Sequence, residues 1–146
     1  GGGFPIGAFI AKKEVMNCLT HNPILGHITT FGGHPVSSAA ATACCKVLLE
    51  EKLIETVDEK AQLFLSKLNH PAIKEIRNSG LLMAVQLDNF ENLQSVIKGC
   101  IDNGVVTDWF LFNTTSMRIA PPLTITKEEI EFSCDVILKA LDEVYS

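Results

Sequence analysis

The sequence is short of positive charge: Lys and Arg number 12 against 17 Asp and Glu, a net charge of −5. That balance argues against nucleic acid or an anionic membrane surface as partners. The sequence has no apolar run long enough to span a bilayer, no internal repeat and no low-complexity tract. Its five cysteines, Cys18, Cys44, Cys45, Cys100 and Cys134, are odd in number and hold no Cys-x-x-Cys pair. This sets aside a disulfide framework and a thiolate metal centre. The four histidines, His21, His27, His34 and His70, lack the spacing of metal ligands. Buried free thiols in a reducing cytoplasm, and no metal, are the expectation. The sequence opens on Gly1, not on a Met.

What opens the chain instead is Gly1-Gly2-Gly3-Phe4-Pro5-Ile6-Gly7-Ala8. Three consecutive glycines lose much backbone entropy on folding. Such a run is useful where a backbone passes close to a ligand or to another backbone. The chain is therefore expected to be part of a larger enzyme, entered beside its active site. Its 146 residues, 47% of them hydrophobic, suffice for one domain, or one domain with part of a neighbour.

The pattern divides near residue 50. Residues 6–11 read as a short strand and 12 to about 19 as a brief helix, followed by a loop over 20–34. Pro35 suits the first position of a helix reaching about Glu50, with Val36, Ala40, Ala43 and Val47 on one face. Its many small residues would let another backbone pack closely. Beyond residue 50, Ile54, Val57, Ala61, Phe64, Leu65 and Leu68 make a helical stripe that stops before Pro71. Strands are expected over 73–77 and 81–87, separated by Asn78-Ser79-Gly80. Leu93, Val96, Ile97, Cys100 and Ile101 mark a helix closed by Asn103-Gly104. Further strands are expected over 105–107, 109–112 and 116–120, the last two joined by a turn at Asn113-Thr114. A final helix starts at a capping box, Thr126 with Glu129. The fold class is α+β: a small sheet with helices against one face.

Two loops concentrate unusual chemistry. In His27-Ile28-Thr29-Thr30-Phe31-Gly32-Gly33-His34-Pro35, two hydroxyls and a glycine pair lie at a helix N-terminus. That combination suits a phosphate. Spacing alone favours an ordinary helix entry with a glycine turn, because the lysine of a P-loop is missing. In Met117-Arg118-Ile119-Ala120-Pro121-Pro122-Leu123, a strand over 116–120 puts Met117 and Ile119 on the core face. Arg118 then points the other way, before a stiff exit. A guanidinium so held can grip a carboxylate through two parallel hydrogen bonds. The commoner fate of a single arginine is a weak surface ion pair.

Three blocks in this order and separation, residues 1–8, 27–35 with the Ala-rich helix after them, and 118–123, resemble the class III pyridoxal-phosphate-dependent aminotransferases. These include the acetylornithine and ornithine enzymes and have the aspartate-aminotransferase fold type I. The resemblance implies that residues 1–50 end a large cofactor-binding α/β domain and that 51–146 form the small C-terminal α+β domain. It implies pyridoxal 5'-phosphate as cofactor, amino acid and 2-oxo acid substrates, and a homodimer. The family's Schiff-base lysine falls upstream of Gly1, so no catalytic residue is assigned within the chain and the chain alone is expected to be inactive. Thr30 matches the threonine that reaches the phosphate of the partner subunit's cofactor, and Thr29 the small residue beside it. Arg118 matches the arginine that holds the substrate α-carboxylate. His34 stands where the family usually has Asn. An aminomutase or decarboxylase with the same cofactor, and a non-catalytic regulatory or dimerisation module, remain open as alternatives.

Overall fold

In the computed structural model, which describes residues 1–24 and 26–146, the chain resolves into two units of unlike character, Gly1–Lys52 and Leu53–Ser146. Leu25, inside the loop expected over 20–34, lies outside the described residues.

The second unit is built by strong local signals. Helix α5, Lys127–Tyr145, begins at a reciprocal capping box. The Glu129 amide donates to Thr126 Oγ1 at 3.2 Å, and the Thr126 amide donates to Glu129 Oε2 at 2.8 Å. Two of the amides that a helix start leaves without intrahelical partners are thereby satisfied. Helix α4, Phe90–Asp102, is capped by Asn89, whose side chain accepts from the Asn92 amide at 2.8 Å. Helix α3, Val57–Lys67, follows a 3-10 turn, Leu53–Thr56. Ile54, assigned to the same stripe from the sequence, falls in that turn and is exposed.

Four strands, β1 Glu75–Ser79, β2 Leu82–Gln86, β3 Asp108–Phe110 and β4 Asn113–Ile119, form a sheet in the order β1-β2-β4-β3. All neighbours are antiparallel. Gly80 opens the β1–β2 hairpin with φ +56°, a conformation only glycine adopts cheaply. The register separates the two faces. Met83 faces Ile119 and Val85 faces Met117, and all four are buried. They join Phe64, Leu93, Val96, Cys100, Ile130, Cys134, Ile137 and Leu141 in one core. Each large apolar side chain buried there contributes about 1.5–3 kcal/mol. The opposite face carries a row in register: Arg77, Ala84, Arg118, Asp108. Beside it, buried Ser116 donates to Gln86 Oε1 at 2.8 Å and accepts from Arg77 Nη2 at 3.3 Å.

Three sequence expectations fail in this unit or the other for one reason, that a strand needs a partner. Residues 105–107 are not a strand; β3 starts at Asp108, where pairing with β4 becomes possible. The β3–β4 turn falls at Leu111-Phe112, not Asn113-Thr114. Residues 6–11 have no ladder partner among the described residues and form no strand.

The first unit has two helices, α1 Lys13–Asn17 and α2 Pro35–Glu50. No described residue in it is buried. The more covered side of α2 is Ser37, Ser38, Ala40, Ala41, Cys44 and Leu48, rotated from the expected face; Val36 and Val47 are exposed. The physical cause is the N-terminal run. A Cβ placed on Gly2 would meet the Ala40 carbonyl oxygen at 2.6 Å and Cys44 Cβ at 3.4 Å. Here the small residues of α2 do admit a second backbone.

Candidate active site

The first candidate segment is the turn that feeds α2. The Gly32 amide donates to the Thr29 carbonyl at 3.0 Å, and the His34 amide to that of Phe31 at 3.1 Å. Gly33 has φ +71°, which lets the chain reverse before Pro35. His34 occupies the N-cap but makes no side-chain capping bond; its ring packs edge-on to Phe31 at 5.9 Å. The α2 N-terminus therefore has no side-chain acceptor of its own, and its dipole favours an anion.

Thr29, Thr30, Gly32, Gly33, His34 and Ser37 line a cavity of about 610 Å³ with Pro5, Ile6, Gly7 and Phe31. No Asp, Glu, Lys or Arg side chain lines it. A Cβ on Gly32 would stand 2.9 Å from Thr29 Oγ1, so glycine keeps that hydroxyl clear. Hydroxyls, a helix N-terminus and no carboxylate form a donor set that fits a phosphate. Thr29 and Thr30 are brought together here, with Ser37 as a third hydroxyl that the sequence reading missed. Its signal was its place in the first turn of α2, facing back over the loop.

The second segment is the end of β4. Arg118 lies on the open face of the sheet, as the alternation of Met117 and Ile119 requires. Its Nη2 donates to Asp108 Oδ2 at 3.2 Å. Thr107 Oγ1 donates to the Arg118 carbonyl at 2.7 Å, and Lys60 Nζ donates to the Leu123 carbonyl at 2.5 Å. These bonds tie down the chain on both sides of Ala120-Pro121-Pro122. The guanidinium, with 44% of its side chain exposed, has donors left for a planar acceptor. Asp108 is the second residue missed. Its partnership with Arg118 depends on a cross-strand register next to a bulge at Trp109/Phe110, which no local pattern announces. Thr29 and Thr30 belong to the first unit and Arg118 to the second.

Two other polar clusters have strong local causes. Tyr145 donates to Asp88, and with the Asn89 amide and the Asn92 side chain it holds that carboxyl below its ordinary 3.8. Burial pushes the thiols of Cys100 and Cys134 up to about 11 and about 12. Both stay protonated and unreactive at neutral pH. Among the described residues no group of His, Cys, Asp and Glu is arranged to hold a metal ion, and no helix is long and apolar enough to cross a membrane.

Comparison with known proteins bears on both segments. The family model for class III aminotransferases matches residues 1–141. An ornithine aminotransferase from Toxoplasma gondii, whose structure has partial occupancy of PLP at the active site, is 33% identical with a TM-score of 0.78, covering 90% of this chain and 32% of that one. An aminotransferase from Bacillus anthracis is 26% identical with a TM-score of 0.80, covering 90% and 34%. An (S)-enantioselective omega-transaminase from Thermomicrobium roseum, at 23% identity and a TM-score of 0.79, covers 92% and 33% and shares the fold. The chain spans about a third of the length of these solved relatives. With both loops inside the matched span and the sheet and helices superimposing on these structures, the chain belongs to the class III aminotransferase family.

Proposed function

We propose that this chain is the C-terminal part of a transaminase subunit that moves an amino group between an amino acid or amine and a 2-oxo acid, with pyridoxal 5'-phosphate as cofactor. The observation that carries this reading is the family match over residues 1–141, which contains Thr29, Thr30 and Arg118 in their order. Residues 1–50 would end the large cofactor-binding domain and 51–146 form the small domain.

The roles follow from the chemistry of each group. Pyridoxal phosphate, when bound, supplies an electron sink for charge developing at the substrate α-carbon. Thr30 donates its hydroxyl to the phosphate of the cofactor held by the partner subunit, with Thr29 beside it and the α2 dipole behind. Arg118 holds the α-carboxylate by its planar fork and so fixes the orientation of the α-carbon. None of this chain's lysines takes the family's cofactor-binding position, so the chain alone is inactive and the reacting amine comes from the rest of the subunit. The working unit is a homodimer. The five free cysteines suit the reducing cytoplasm.

The enzyme carrying this chain is to be assayed for amino transfer with and without added pyridoxal phosphate, as wild type and as Thr30→Val and Arg118→Lys. Thr30→Val loses a hydrogen bond to a charged group, worth about 1.5–3 kcal/mol. Cofactor should then dissociate roughly tenfold to a hundredfold more readily on dialysis. Arg118→Lys keeps the charge but loses the two-point grip. Its KM for an α-amino acid should rise by a similar factor, with cofactor retention unchanged. No transfer by the wild type, or cofactor retention indifferent to Thr30, would overturn the reading.

A further inference from the structure

We infer that His34 makes this chain's hold on the cofactor phosphate depend on pH: its imidazolium form adds a full positive charge to a cavity wall otherwise made of neutral donors. This rests on the loop over 27–35 being the phosphate-binding segment of the proposed site. His34 lines the cavity with Thr29, Thr30, Gly32, Gly33 and Ser37. It stands at the N-cap of α2, where a side-chain oxygen ordinarily accepts from a first-turn amide, and it makes no such bond. The first helical bond runs from the Ser38 amide to the His34 carbonyl at 2.9 Å. The amides of Val36 and Ser37, ahead of it, are among those a helix start leaves without intrahelical partners. His27 and His70 direct their rings elsewhere, to the Leu19 carbonyl and to the Ala72 amide and Asp142 carboxylate. Among the described residues the His34 ring has no hydrogen-bond partner. It packs edge-on to Phe31, another residue of the same wall.

No Asp, Glu, Lys or Arg from the Pro5–Gly7 segment, the loop or the first turn of α2 lines the cavity. Neither His27 nor the Gly1 amine lines it, and the next titratable side chain along α2 is Cys44. A phosphate there meets hydroxyls, amides and a helix dipole, none of which changes charge near neutrality. Imidazole is the side chain whose charge ordinarily changes between about pH 5 and 8. Neutral, the ring offers one N–H; protonated, it offers two together with a charge, and charge-assisted hydrogen bonds are the stronger kind. A dianion therefore binds the protonated form better, and by reciprocity its binding draws a proton onto the ring. The sign follows: a doubly charged anion is held more tightly as pH falls from about 8 to about 6. A phosphate ester itself loses charge near about pH 6 and so masks the effect, which calls for an anion that keeps both charges.

Sulfate stays doubly charged over this range, so it separates titration of the ring from titration of the ligand. It is titrated by calorimetry into the apo form of the enzyme carrying this chain, at about pH 8 and about pH 6. The proteins compared are wild type, His34→Asn, His34→Gln and Thr30→Val. In the wild type the dissociation constant should fall about two- to fivefold from the higher pH to the lower, the range of an exposed ion pair. In both His34 variants it should stay level. Thr30→Val should weaken sulfate at both pH values and keep the wild-type ratio, and excess pyridoxal phosphate should block the titration. A ratio equal to wild type in either His34 variant, with Thr30→Val still weakening sulfate, would overturn the role of His34 alone. Sulfate binding that pyridoxal phosphate does not block, or that Thr30→Val leaves unchanged, would overturn the phosphate reading of the loop and this inference with it. Matched thermal transitions in the His34 variants exclude unfolding as the cause of a lost dependence.

Discussion

The two units of this chain, nearly side by side in sequence, solve the burial problem differently. Among the described residues, all buried hydrophobic ones lie between Ala61 and Leu141, in the second unit, around a sheet with one dry face. The first unit has none among its described residues, yet it exposes Phe4, Ile6, Phe9, Ile10, Ile24, Ile28 and Phe31. Burial supplies most of the drive for folding, so the second unit is stable by its own contacts. The first leaves a wide apolar area exposed, the kind of surface that interaction sites present. The candidate phosphate loop sits on the weakly held unit, and the candidate carboxylate-binding arginine on the rigid one. A side chain that must aim a two-point fork gains from a sheet. A loop that wraps a phosphate needs only amides, hydroxyls and a helix end.

The sharpest way to break this contrast is to delete the same side chain from each unit. Phe64 is 1% exposed and Phe31 78% exposed. Phe64→Ala should cost about 3–5 kcal/mol of unfolding free energy through lost burial and a residual cavity. Phe31→Ala should stay within about 0.5 kcal/mol. Thermal or urea unfolding of the chain measures both, and comparable losses would mean that the first unit carries a core of its own.

Thiol reactivity draws the same line at the level of single atoms. Cys18 and Cys45 are exposed, Cys44 is half-buried, and Cys100 and Cys134 are buried. The sequence expectation of buried thiols thus holds only for the second unit. Relative to an ordinary thiol at 9.0, values of about 11 and about 12 cut the thiolate fraction of Cys100 and Cys134 about a hundredfold and a thousandfold. Under native conditions a thiol reagent should label Cys18 and Cys45 first and leave Cys100 and Cys134 until the protein unfolds. Mass spectrometry of a labelling time course reads the order directly.

How much of this was legible in the sequence follows the same boundary. Helix α4 has apolar residues at helical spacing and helix α5 a capping box at Thr126, so both were found; of the α4 stripe, Leu93, Val96, Ile97 and Cys100 are buried and Ile101 is exposed. Helix α2 was found from Pro35, but its face was misread. Alanines, serines and cysteines give little amphipathic contrast, and the side covered is chosen by Gly2 lying on Ala40. Strands failed where pairing outranks composition: Val105 and Val106 have the β-branched look, yet Asp108–Phe110 has the partner. For the candidate site, Thr29, Thr30 and Arg118 could be singled out because they sit in loops that carry the family resemblance. Asp108 could not, because its meaning arises only when residues ten positions apart meet across a hairpin.

Glycine replacement tests the contrast with a smaller perturbation. Gly80 has φ +56°, and a Cβ there would stand 2.6 Å from Val57 Cγ1. Gly80→Ala therefore combines backbone strain with overpacking and should cost roughly 1–3 kcal/mol. Gly33 has φ +71° with open space around the added carbon. Gly33→Ala should pay only the left-handed penalty, about 1–2 kcal/mol, and pay it locally, leaving the main unfolding transition where it was. Calorimetry separates the two outcomes; an equal drop in the main transition would show that the units unfold as one.

The smallest expected effect concerns the end of the second unit, where Tyr145 near the C-terminus of α5 donates to Asp88 in the loop before α4. That bond is the largest cause holding the Asp88 carboxyl below 3.8 in the folded state. The folded protein therefore binds a proton there less readily than the unfolded chain does. Its contribution to stability is present above the ordinary value of 3.8 and disappears as pH falls through the lowered one. Tyr145→Phe keeps a ring against His70 but removes the donor, so the Asp88 value should move back up. Wild type should then exceed the variant at neutral pH, and the gap should close as pH falls through the lowered value of the Asp88 carboxyl. Asp88 is open to solvent, so the gap is small and is best read as a difference in unfolding temperature across a pH series. A gap that stays constant into acid would mean that the tyrosine contributes packing and not a proton-linked hydrogen bond.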